Sequence, residues 1–199
     1  MSVLTGDRIT ERLKAGTSGL IITPILSPKQ IGASSVDLRL GNQFIVFRMH
    51  MLETLQPFNT PNSDLKKMQQ RQVVRFGSPF VLHPGMLALG STFEYIRLPN
   101  DLSGEAEGRS SWARLGLQIA TATCVEPGFK GVLTFELSNV GTIPLKLYPG
   151  VRVAQLILHD AEPPVSKEYD ANRKYYCPVG PEFSQVHLDN DGRAFSVLE

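Results

Sequence analysis

Short apolar or alternating runs dominate the chain. They lie at residues 20–26, 36–47, 73–82, 86–92, 117–123, 132–138, 143–147 and 151–158, and 17 glycines and 14 prolines punctuate the sequence. Runs of this length, bounded by turn formers, predict the strands of a compact barrel or sandwich. Helical periodicity is confined to the start, where residues 5–14 place Ile9 and Leu13 on one face and Gly16 follows as a stop. Residues 53–71 are polar and uneven and predict an excursion with a little helix around 65–70. Along 132–138 the period of two puts Leu133, Phe135 and Leu137 on one face and Thr134, Glu136 and Ser138 on the other. The first face belongs to a core. The second leaves a glutamate mid-strand on a polar surface.

Beyond His159 the character changes. Residues 161–164 form a proline-containing break, and 166–199 are rich in charge, Tyr and Gly with little periodicity. The expected organisation is a β domain over 1–160 and a tail over 161–199 that belongs to the same domain and closes over something.

Composition narrows the chemistry. A chain of 199 residues with 42% hydrophobic and 20% charged residues can bury a real core. Its net charge of +1 gives no global field for a nucleic acid polymer or an anionic membrane, so anion binding must come from a local cluster. The first eight residues lack a basic-then-apolar leader pattern and no apolar run approaches membrane-spanning length, so a cytoplasmic protein is expected. Cys124 and Cys177 stand far apart and read as free thiols. Neither the His-x-Glu nor the Pro-Cys-x-x-Cys element of a zinc nucleobase deaminase occurs. His50, His83, His159 and His187 are scattered singly without ligand spacing.

The informative block is Gly108-Arg109-Ser110-Ser111-Trp112-Ala113-Arg114-Leu115-Gly116-Leu117, followed by Glu126-Pro127-Gly128-Phe129-Lys130-Gly131 and the strand carrying Glu136. Guanidinium groups suited to phosphates stand near a carboxylate that can move protons, which suggests a nucleotide enzyme. Each residue also has a plainer reading. A mid-strand glutamate is commonly half of a cross-strand ion pair, Arg109 a surface cation, Lys174 a solvated lysine, and Tyr169 a tail aromatic. Trp112 reads as packing.

These residues resemble the dCTP deaminase family of the trimeric dUTPase-like superfamily. The likeness rests on Gly32-Ala33-Ser34-Ser35-Val36-Asp37-Leu38-Arg39-Leu40-Gly41, on the 108–117 block, on 127–139, and on Pro149-Gly150 with Gln155-Leu156-Ile157, with a weaker echo at Arg173-Lys174-Tyr175. The resemblance implies a mainly β fold: a dUTPase-like β-barrel or distorted jelly-roll with a short N-terminal helix and a C-terminal tail closing over the site. It implies a homotrimer with sites at subunit interfaces, and hydrolytic, zinc-free deamination of dCTP to dUTP and ammonia. Mg2+ would be bound through the substrate triphosphate, with no metal site on the protein.

Carried over residue by residue, Glu136 is the general base and acid, Ser110 and Arg114 hold the water and polarise the reacting centre, and the carbonyl of Ala122 orients the water or the departing ammonia. Arg109 and Lys174 meet phosphates, with Ser111 beside them in the substrate site. Glu126 meets the sugar 3′-hydroxyl, backbone groups of Leu133 and Thr134 read the cytosine edge, and Tyr169 stacks on base or sugar. Asp37 and Arg39 form an ion pair near the trimer axis. Two departures stand out. The stretch between Arg114 and Glu136 is one residue shorter than the usual deaminase spacing, near 118–120. Cys177-Pro178 occupies the place where the family carries a glutamine, and Ser184-Gln185 is a candidate replacement. Two alternatives accompany the deaminase reading: a bifunctional deaminase and diphosphatase that yields dUMP and pyrophosphate, and a trimeric dNTP-binding module without turnover. A diphosphatase acting on dUTP alone is disfavoured because Ser111 stands where it would carry glycine.

Overall fold

The computed structural model describes residues 2–16, 19–48, 54–56, 58, 60–120, 124–162, 169–170 and 172–189. Helix α1 (Gly6–Lys14) starts where the sequence provides a cap: the Thr5 hydroxyl accepts from the Arg8 amide, Asp7 lies in the first turn, and Arg12 and Lys14 lie in the last. Ile9 is its fully buried residue and anchors it to the sheets.

Most of the remaining regular structure is antiparallel β. The largest sheet orders its strands β4 (Gln69–Val73), β3 (Gln43–Phe47), β6 (Leu87–Ser91), β11 (Thr134–Asn139) and β9 (Leu117–Ala120). A second has β2 (Ser35–Arg39), β13 (Arg152–Asp160) and β8 (Leu102–Gly108). Smaller sheets pair β1 (Ile21–Thr23), β7 (Tyr95–Arg97) and β10 (Lys130–Gly131), and β12 (Leu145–Leu147) with β5 (Phe80–Leu82). Between them lies one core that includes Phe44, Leu38, Leu82, Phe135, Leu137 and Leu156, with the Phe44 and Phe80 rings stacked at 4.1 Å. The sheets remain separate and do not close into one ring, so a jelly-roll describes the fold better than a barrel. Among the described residues no helix is long and apolar enough to cross a membrane.

Several boundaries differ from the sequence pattern. The run 36–47 is two strands in different sheets, because the chain switches at Leu40-Gly41-Asn42. There the Gly41 amide donates to the Ser91 carbonyl at 2.7 Å, and a Cβ at Gly41 would sit 3.0 Å from that oxygen. The helical piece, α2 (Asn62–Met68), gives way at Gln69 to β4, and the run 73–82 is split between Val73, the last residue of β4, and Phe80–Leu82 after a turn at Gly77. Strand β8 is absent from the pattern although it pairs with β13 from Leu102 to Gly108. Its inward residues Leu102, Gly104 and Ala106 are mostly small, so burial leaves a weak hydrophobic alternation.

The described part of the tail packs on the β-structure. Pro178 presents its carbonyl to the Val132 amide at 2.9 Å, the Glu182 amide donates to the Thr134 hydroxyl at 3.2 Å, and Phe183 packs against Phe47. These contacts lie on the outer face of the five-stranded sheet, where Ile45 and Leu89 are buried. Gly131 is the seat of this strap, since it adopts φ 139 and a Cβ there would lie 2.8 Å from the Pro178 nitrogen. Gly131→Ala is therefore expected to cost at least about 1 kcal/mol in backbone strain and displaced contacts, lowering Tm by roughly 2–4 °C. Limited proteolysis should cut the tail of this variant faster; an unchanged cleavage rate and Tm would show the strap to be inessential.

Candidate active site

Glu136 stands where the alternation predicts, on the outer face with Thr134 and Ser138 while Phe135 and Leu137 are buried. Its cross-strand neighbours are Leu89 on β6 and Ala120 on β9. Neither can take an ion pair, so the common role of a strand glutamate does not apply. Its Oε2 is buried without a hydrogen-bond partner among the described residues. Loss of hydration pushes the carboxyl above its ordinary range, opposed only by its own backbone amide. An unpartnered, desolvated carboxyl is costly to keep, and such groups gather at functional sites.

The arginine-serine block forms the turn between β8 and β9. Helix α3 (Ser110–Ala113) is a single turn, held down because the Arg109 amide donates to the Val153 carbonyl at 2.9 Å and the Trp112 indole donates to the Arg152 carbonyl at 2.9 Å. Trp112 is packing, as expected. Gly116 (φ 94) turns the chain into β9 against Gly141, where a Cβ would come within 2.8 Å of the Gly141 nitrogen. Ser110, Ser111 and Arg114 are left exposed, and Arg109 half-buried.

Within one chain no described hydrogen bond or ion pair links Glu136 to Ser110 or Arg114. The register explains why. β9 begins at Leu117, opposite Asn139, which is three residues along β11 from Glu136. Three residues of extended strand separate them by about 10 Å.

A third group gathers around the 126–131 turn. Tyr169 lies against Phe129 with ring centroids 5.8 Å apart and over Gly128, whose added Cβ would sit 2.9 Å from that of Tyr169. Arg173 pairs with Glu126 at 3.3 Å and covers the Tyr169 ring. Burial, reinforced by the Glu126 charge, raises the Tyr169 phenol. Lys174 pairs with Asp189. In this arrangement Glu126 and Lys174 are both engaged by the tail, and a nucleotide would have to exchange for those partners.

The structure also changes some expectations. Leu133 has both backbone groups committed to Thr92: its amide donates to the Thr92 hydroxyl at 3.0 Å and its carbonyl accepts from the Thr92 amide at 2.9 Å. Only a second carbonyl lone pair remains to read a base. Asp37 and Arg39 do not pair with each other. Arg39 is buried against Glu94 and Gln30, while Asp37 binds Arg109 and Arg152. Arg39 and Arg152 stand directly opposite across β2 and β13, and the two like charges are compensated by different carboxylates, Glu94 and Asp37. Ala122 lies outside the described residues. Sequence reasoning did not single out Thr92, Arg152 or Glu182; their roles depend on contacts far along the chain, and no local spacing marks them. Among the described residues no cluster of three His, Cys, Asp or Glu side chains converges to hold a metal ion.

A family model described as dCTP deaminase-like matches residues 3–161. The dUMP-forming dCTP deaminase of Methanosphaera stadtmanae is 40% identical over 195 residues, covering 96% of this chain and 97% of that protein. A dCTP deaminase of Haloarcula marismortui is 37% identical over 193 residues, covering 95% of this chain and 97% of that one. Among solved structures, the 2'-deoxycytidine 5'-triphosphate deaminase from Agrobacterium tumefaciens superimposes with a TM-score of 0.62 at 25% identity. That match covers 80% of this chain and 48% of the other, so the chain spans about half of that longer one. On the family match and on identity over almost its whole length, the chain is a member of the dCTP deaminase-like family.

Proposed function

We propose that this protein hydrolyses the exocyclic amine of dCTP, giving dUTP and ammonia, with Glu136 as the proton carrier. The observation that carries this reading is the buried Oε2 of Glu136, without a hydrogen-bond partner among the described residues, on a carboxyl desolvated in the middle of β11 between the apolar neighbours Leu89 and Ala120. Water adds its oxygen to C4 of the cytosine as Glu136 takes one of its protons. Glu136 then delivers a proton to the ring nitrogen and, as the C4–N4 bond breaks, ammonia leaves with the remaining protons. General acid–base help of this kind contributes about 10²–10⁴-fold. Ser110 and Arg114 hold the water and stabilise developing charge, and the Ala122 carbonyl orients it. Because Arg114 and Glu136 stand apart in one chain, the site is completed between subunits of a homotrimer.

Arg109, Ser111 and Lys174 receive the triphosphate, Glu126 the sugar hydroxyl, and Tyr169 the base or sugar. The base edge is read by Thr134 and the free lone pair of Leu133. Magnesium travels with the triphosphate, whose oxygens suit a hard cation better than any cluster of described side chains here. The chemistry is zinc-free and, for a dNTP enzyme, cytoplasmic.

A second reading has its own support, because relatives at 40% and 39% identity are named as dUMP-forming. In it, dUTP stays bound and a second water attacks the α-phosphate, releasing pyrophosphate and dUMP. One experiment separates the readings: dCTP and Mg2+ are incubated with the protein and ammonia, dUTP, dUMP and pyrophosphate are quantified together. Ammonia matched by dUTP supports the first reading, and ammonia matched by pyrophosphate supports the second. Tight dCTP binding with no ammonia overturns both in favour of a binding module.

A further inference from the structure

We infer that Asp37 is a positioning residue for phosphate recognition, holding the Arg109 guanidinium at Nε so that its Nη2 end faces the nucleotide. The inference rests on the proposed role of Arg109. Three elements of one sheet supply the parts, with β13 lying between β2 and β8. Asp37 sits on β2, Arg109 follows β8, and Arg152 opens β13. The Asp37 carboxylate is only 16% exposed and is shared: Oδ1 faces Arg109 Nε at 3.4 Å and Oδ2 accepts from Arg152 Nη1 at 2.8 Å.

The Nε contact is an ion pair, and the hydrogen bond of the Arg109 side chain runs from Nη1 to the Arg152 carbonyl at 3.5 Å. The same carbonyl accepts from the Trp112 indole, which fixes it in place. Among the described residues the Nη2 group of Arg109 takes no partner, and the side chain is 32% exposed. A guanidinium has five N–H donors in a rigid plane, so contacts at Nε and at Nη1 fix the plane and leave the Nη2 end outward. Its charge and its two N–H donors suit phosphate oxygens.

Asp37 is itself immobilised. Its carbonyl accepts from the Gln30 side-chain amide at 2.9 Å, and Gln30 is fully buried and bound to Glu94 at 2.9 Å. The β-bulge between Arg152 and Ala154 breaks the register beside this carboxylate, and Arg152 Nη1 also reaches the Lys29 carbonyl at 3.5 Å. Two guanidiniums against one carboxylate leave the cluster with a surplus positive charge beside the exposed hydroxyls of Ser110 and Ser111. As a half-exposed surface ion pair this arrangement would contribute little stability. As an anchor it saves the entropy of ordering a long side chain when the nucleotide arrives.

The test compares Asp37→Asn, Asp37→Glu and Arg109→Ala in the full-length protein. Steady-state KM and kcat are measured for dCTP, affinities for dCTP and dCMP are taken by calorimetry, and thermal unfolding serves as the control. Asp37→Asn should raise the dCTP KM by about tenfold with kcat changed by less than about twofold, the pattern of lost uniform binding. Affinity for dCMP should hardly change, so the preference for the triphosphate shrinks by the same factor. Asp37→Glu keeps the charge and should fall between wild type and Asp37→Asn, and it alone decides the matter if Asp37→Asn does not fold. If Arg109→Ala loses the triphosphate preference while the Asp37 variants keep it, the inference fails and the reading of Arg109 stands. If Arg109→Ala keeps the preference, Arg109 is not the phosphate contact and both fall.

Discussion

Glu136→Gln is expected to lower ammonia release from dCTP by about 10²–10⁴-fold while nucleotide binding stays measurable by calorimetry. The amide matches the carboxylate in shape but cannot carry a proton between water and the ring. Catalysis that survives within about tenfold of wild type would remove the proton carrier from the mechanism. The pH dependence adds a second check. Burial is the main cause that lifts the Glu136 carboxyl above its ordinary 4.5. The base must start ionised, so kcat/KM should fall as pH drops through this raised value, giving an acid limb above the usual glutamate range. A cation near a carboxylate favours its ionised form. Arg114→Ala should therefore move the limb of the residual activity further up in pH. A limb that stays put would mean that the two groups do not meet.

Two severely impaired variants are expected to restore activity when combined. Glu136→Gln keeps a sound Arg114 and Arg114→Ala keeps a sound Glu136. If each site takes these residues from adjacent subunits, mixed trimers contain interfaces where both are native. For random mixing in equal amounts, about one interface in four is fully native, so activity should return to about a quarter of wild type. The two proteins are unfolded together and refolded, or co-expressed, and ammonia release is measured per subunit. Each variant taken alone through the same procedure gives the baseline. No recovery in verified mixed oligomers would place Glu136 and Arg114 in the same subunit's site. That outcome conflicts with the roughly 10 Å of strand that separates the start of β9 from Glu136 within a chain.

The legible parts of the site were those fixed by local rules. The N-terminal helix is legible because Ile9 and Leu13 recur on one face and Gly16 follows as a stop. The packing role of Trp112 could be read from its place in a short turn beside core strands. The Asp37–Arg39 pair was misjudged because two charges of opposite sign on one strand face invite pairing, yet each had a better partner from a distant strand. β8 was overlooked for the opposite reason: its glycines and alanine are buried but carry almost no hydrophobic signal. The tail's composition suggested a cover, although its contacts with Val132, Thr134 and Phe47 have no marker in the pattern.

The sequence alone determined that Glu136 shares a face with Thr134 and Ser138 and opposes Phe135 and Leu137, because extended backbone turns side chains over at every residue. The tertiary structure alone decided that Leu89 and Ala120 flank that glutamate, that Asp37 reaches Arg152 across 115 positions of chain, and that Pro178 settles on Gly131. Alternation is a property of neighbouring bonds and is written residue by residue. Strand order and register are chosen by the burial of the whole core, so no short stretch of residues carries them.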